Sequence, residues 1–146
     1  MNTITNEEAF SEEYAMATEN AASALFSLLL SGLITGKDYS HGIAVFINCL
    51  PLDHDTAEAQ TVHEKVVYAL QHSTIFNNCR REILKVLPLM LFPTYDEGDN
   101  MYEISYDETK AEIINILKSL NGAERMDVFR DMDPEMKATV MSIMNN

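Results

Sequence analysis

Residues 21–34, AASALFSLLLSGLI, are apolar around almost the whole circumference when wound as a helix. A helix of that kind is expected to be buried on all sides, in a bilayer or in other protein. Crossing a bilayer takes ~20 apolar residues, and this run has only fourteen, interrupted by Ser23, Ser27, Ser31 and Gly32. It is therefore expected at the centre of a helical domain, ending at Gly36, where a left-handed residue is easily accommodated. A chain of 146 residues has the size of one domain, 1–146, which hides roughly 70% of its unfolded surface.

The rest of the chain reads as further short helices. Thr5 and Glu8 have capping-box spacing and predict a first helix running to about Thr18. After the apolar helix, Ile43, Phe46, Ile47 and Leu50 have helical spacing up to Pro51. The β-branched run GIAVFINCL also suits a short buried strand, so 42–50 stays open between the two. Asp55 and Glu58 form a second capping box, ahead of a helix with Val62, Val66, Ala69 and Leu70 inward to about His72. Ser73 is positioned to cap the next helix, whose stripe is Ile75, Cys79, Ile83, Val86, Leu87 and Met90; Pro88 should end or kink it. Residues 92–109, FPTYDEGDNMYEISYDET, lose the helical period and read as an exposed acidic loop, with room for a short hairpin near 102–106. A helix with Ile113, Ile116, Leu117 and Leu120 inward then closes at Asn121 and Gly122. A short one follows over about 123–130, and Asp133 caps the last, with Pro134 at its favoured first-turn position. The expected fold is thus all-α, six or seven short amphipathic helices in one compact array around the buried apolar helix, those around Val66 and Ile83 packed on it.

Charge narrows the functional classes. Ten basic residues against 23 acidic ones leave a net charge of -13, which repels phosphates and anionic lipid surfaces, so direct nucleic-acid or membrane binding is not expected. The charge is uneven: residues 1–36 hold five acids and no base, 37–91 six acids and five bases, 92–146 twelve acids and five bases. Arg80, Arg81 and Lys85 form the only basic cluster. No basic residue precedes an apolar run at the N-terminus, so no secretory signal is predicted and the expected location is cytoplasmic. Cys49 and Cys79 lie in apolar stretches and read as core thiols rather than a disulfide.

The sequence contains no constellation that demands a particular chemistry. His54, His63 and His72 recur every nine residues, a turn of about 900° along a helix that points successive members to opposite faces. His63-Glu64 opens like a zincin motif, but Val67 stands where its second histidine belongs. Asp96-Glu97-Gly98-Asp99-Asn100 resembles a calcium loop without its alternating ligands, and Asp107 stands where the closing Glu should be. No nucleophile elbow or phosphate loop is present, and the pairs Glu7-Glu8 and Glu12-Glu13 read as solubilising. No catalytic residue, metal ligand or cofactor is therefore expected.

Two features suit recognition instead. In the acidic loop, Tyr95, Tyr102 and Tyr106 alternate with Asp96, Glu97, Asp99, Glu103, Asp107 and Glu108. Aromatic area interleaved with carboxylates fits a partner's Arg or Lys, although the rings could equally pin the loop to the body. The second feature is Met126, Met132, Met136, Met141 and Met144, adaptable side chains that fit either core or a binding groove. Residues 124–135, ERMDVFRDMDPE, resemble the short-helix repeat of flagellar motor switch proteins and of the cytoplasmic N-terminal domain of bacterial magnesium channels. That resemblance implies a helical hairpin, and no site is carried over from it.

The functional expectation is a non-catalytic acidic protein that regulates or inhibits a protein partner with a basic surface. The alternatives are a nucleic-acid mimic that blocks a DNA- or RNA-binding protein, and a self-associating structural or scaffold subunit. The oligomeric state stays open.

Overall fold

A helix continues until something in the chain stops it, and between Thr5 and Ser31 there is no glycine or proline. The structure, a computed structural model, describes the backbone from Thr3 and the side chains from Glu13 onward. In it a single helix, α1, spans Thr3–Ser31. The expected break near Thr18 is absent, and Thr5 lies inside the helix rather than ahead of it; the side chains of the Thr5–Glu8 capping pattern fall outside the described residues. The helix ends at Gly32, whose φ of 77° is the left-handed conformation, and not at Gly36, which instead begins α2, Gly36–Asn48. The region open between helix and strand is therefore helix, with Ile43, Phe46 and Ile47 buried.

After a cis Leu50–Pro51 peptide come α3, Thr56–His72, and α4, Arg80–Val86. Asp55 caps α3 as its spacing predicts, its side chain accepting from the Glu58 amide at 3.1 Å. Ser73 does not open the next helix: its hydroxyl accepts from Ile75 N, and a 3-10 turn at Asn77–Cys79 precedes α4, since adjacent asparagines favour turns over helix. At Pro88 the chain tightens into a 3-10 turn, Leu87–Leu91. The strands β1, Thr94–Tyr95, and β2, Met101–Tyr102, pair antiparallel with Thr94 opposite Tyr102, so the hairpin lies earlier than 102–106. The helices α5, Asp107–Ser119, α6, Gly122–Arg130, and α7, Pro134–Met144, complete the chain. Asn121 caps α6 through Glu124 N, and Asp133 caps α7 through Glu135 N and Met136 N. The result is a compact, mostly α fold of seven α-helices among the described residues.

The apolar helix contributes to the core through one face and is not enclosed on every side. The fully enclosed side chains are spread over α1 (Phe26), α2 (Phe46), α3 (Val62, Val66), α4 and its extension (Ile83, Leu87, Met90), α5 (Ile113, Leu117) and α7 (Val140). Among the described side chains of α1 only the line Glu19, Ala22, Phe26 and Leu29 is buried, whereas Leu28 and Leu30 are each 44% exposed, and Leu33 just beyond its end is 78% exposed. Apolar character all round does not enclose a helix unless neighbours arrive on every side, and here α2 and α3 cover one face. Phe26 anchors that face, stacked on Phe46 with ring centroids 4.3 Å apart and against Phe76 at 6.0 Å. A Cβ on Gly42 would stand 3.2 Å from a Leu29 methyl, so the missing side chain sets how closely α1 and α2 approach.

Cys49 and Cys79 are free and half-buried. Of the C-terminal methionines, Met144 is buried, Met132 and Met141 pack against the core, Met136 is half-buried, and Met126 is exposed. No helix among the described residues is long and apolar enough to cross a membrane.

Candidate functional site

Backbone amides in a loop that is pressed against a protein must find acceptors. Four consecutive ones, Leu52 to Asp55, find them on two side chains. His63, buried in α3, turns Nε2 to Leu52 N at 3.0 Å. Glu19, 7% exposed on α1, receives Asp53 N at 2.8 Å, His54 N at 3.1 and 3.2 Å, and Asp55 N at 3.1 Å. A second tie joins the same helices, the Ser23 hydroxyl donating to the Glu58 carboxylate.

The other ring nitrogen of His63 reaches across to the hairpin. Nδ1–H donates to the Ile104 carbonyl at 2.7 Å and lies 3.3 Å from the Ser105 hydroxyl, which itself donates to Met90 O at 2.9 Å. Both partners require a neutral ring, and burial lowers the pKa of His63 to about 4. The imidazole thus ties Leu52, at the start of the loop, to the foot of the hairpin.

Between these two walls lies a groove of about 510 Å³, bounded by Met16, Asp53, His54, Thr56, Thr94, Tyr95, Asp96, Glu97 and Tyr102. The hairpin wall is shaped by Asp96. Its carboxylate accepts from Gly98 N and Asn100 N, both at 2.9 Å, from Asn100 Nδ2 at 3.0 Å and from the Tyr102 hydroxyl at 3.2 Å. Those bonds, led by the ones from Asn100, hold the Asp96 carboxyl below its ordinary range, and the same carboxylate pushes the Tyr102 phenol above its own. Asp99 completes the tip in a left-handed conformation, φ 59°.

Of the nine loop residues singled out in the sequence, Tyr95, Asp96, Glu97 and Tyr102 line the groove. Asp96 is committed inward to the turn, while Glu97 makes no ion pair among the described residues. Asp99 is at the tip. Glu103 pairs with Lys110 at 2.7 Å. Tyr106, 37% exposed, precedes α5, and Asp107 and Glu108 occupy its first turn, where carboxylates favour the helix dipole. Met16, Glu19, Asp53 and His54 carry no joint signal in the sequence, because the loop that meets α1 here lies 34 and 35 residues beyond Glu19.

Glu19, Asp53 and His54 are also the described residues best placed to hold a metal ion, with ligand atoms within 4.8 Å of one another. Their bonding fits a clamp better. Glu19 is occupied by three amides, and His54 Nδ1 lies 2.8 Å from Asp53 Oδ1. The basic cluster is likewise engaged: Arg80 pairs with Glu124 at 2.9 Å, and Arg81 holds Asp127 through two contacts of 2.6 and 2.9 Å. Arg81, with help from Lys85 and Arg130, depresses the Asp127 carboxyl. Those cations are turned to α6, leaving the groove without a Lys or Arg in its lining. Set against known protein families, curated proteins and solved structures, the chain matches none.

Proposed function

We propose that this chain is a non-catalytic binding protein that receives a basic segment of a protein partner in the groove beneath the hairpin, and so regulates or inhibits that partner. One observation carries the reading: Tyr95, 60% exposed, and Tyr102, 44% exposed, border a groove with the carboxylates of Asp53 and Glu97 and with no Lys or Arg in its lining. Arginine suits such a site, since its guanidinium stacks on a phenol face while its N–H groups bond carboxylate. The net charge of -13 would steer a cationic segment toward it. The two free thiols accord with a reducing compartment, and a cytoplasmic partner is part of the proposal.

The test titrates the full chain with arginine-rich, lysine-rich and glutamate-rich peptides of equal length. The arginine peptide is expected to bind best, to weaken steeply with salt, and to lose about tenfold in affinity with Tyr95→Ala or Glu97→Gln. Binding that ignores salt and both substitutions would refute the proposal.

A further inference from the structure

A second cavity, of about 320 Å³, opens on another part of the surface, between α2 and the segment entering α4. Its floor is apolar, formed by Ile43, Ile47 and Ile75, which are 4, 6 and 7% exposed. Asn48, Asn78 and Glu82 stand on its rim, and none of the three makes a side-chain hydrogen bond or ion pair among the described residues. An apolar floor with a few unengaged polar groups, at this volume, is the usual form of a small-molecule site. Glu82 is the only charged group in the lining, and the nearest cation along the chain, Arg81, is turned away to Asp127.

We propose that this cavity binds a small organic ammonium compound. An aromatic or branched aliphatic group would lie on the three isoleucines, and the ammonium would meet the Glu82 carboxylate, with the side-chain carbonyls of Asn48 and Asn78 as further acceptors. The charge stays at the exposed rim, so the ammonium keeps part of its hydration and avoids the cost of full burial. For an anion of the same shape the one charge in the lining, the Glu82 carboxylate, is repulsive, on a protein of net charge -13.

Phenethylamine and phenylpropionate, each a phenyl ring on a short chain and opposite in charge, test this on the 146-residue chain. Proton–nitrogen correlation NMR follows the amides of Ile43, Ile47 and Ile75. Alkylation by iodoacetamide, mapped by mass spectrometry, follows Cys79, which lines the cavity, with Cys49 outside it as the internal reference. Phenethylamine is expected to shift those amides saturably and to slow Cys79 several-fold with Cys49 unchanged. Glu82→Gln should weaken it about tenfold, and Ala44→Phe, which fills the mouth from an exposed position, should abolish both effects while helical circular dichroism is retained. Absence of saturable shifts with phenethylamine would overturn the proposal, and so would equal binding of phenylpropionate.

Discussion

The proton on His63 sits on Nδ1, given to Ile104 O, while the lone pair of Nε2 receives Leu52 N–H. A second proton would set N–H against N–H in a site closed to water. With its folded pKa lowered from 6.5 to about 4, the unfolded chain takes that proton more readily than the folded one. Stability is therefore unaffected by this group above pH 6.5 and falls as pH drops from 6.5 toward 4, by roughly 3 kcal/mol in all. Urea midpoints measured across that range should show the decline, and His63→Leu should flatten it while costing about 2 kcal/mol at neutral pH for two stranded backbone groups. Asp96 and Asp127 act in the same direction at still lower pH. Their carboxyls are lowered from 3.8, so what they add is present above that value and is lost only as pH falls below it. Glu19→Gln presents an NH2 group where two acceptor oxygens are needed, and about 1–3 kcal/mol of stability should go with it in the same urea assay.

Among the elements, those set by local chemistry were the most legible in the sequence. Asp55 before α3, and Asp133 with Pro134 before α7, specify their helix starts through side chains that bond amides two or three residues on. Removing such a cap in Asp133→Ala should cost about 1 kcal/mol by thermal unfolding. The continuity of α1 was readable in principle from the missing glycine and proline, yet its single buried face was not, because burial depends on which helices arrive beside it. Gly42 records that arrival, and Gly42→Val should force α1 from α2 and destabilise by about 1–3 kcal/mol. The hairpin differs again. Its strands are two residues each, too short to stand alone, so Asp96→Ala should broaden the NMR amide signals of Gly98 and Asn100 while leaving the unfolding midpoint nearly unchanged.

At the scale of the whole molecule, the loop wall of the candidate groove was visible in composition, as tyrosines alternating with acids. The opposite wall was not, because Met16, Asp53 and His54 share no spacing, and chain topology alone brings them to Tyr95 and Glu97. Topology also spends the basic cluster on α6. With Asp96, Glu97 and Asp99 in no ion pair among the described residues and a net charge of -13, self-repulsion should outweigh the exposed ion pairs. The melting temperature is then expected to rise as salt is raised from a few millimolar to about 0.5 M, and a fall would mean that the pairs on α4 and α6 prevail. The loop at 52–55 has a further consequence, in the time its protons spend on the backbone. Its four amides lie outside any helix or strand, yet each is held by Glu19 or His63, so in deuterated water they should exchange on the slow schedule of α3 rather than the fast one of a surface loop. Their release would time the separation of α1 and the hairpin from the body, and an irregular stretch of chain would report on how the domain opens.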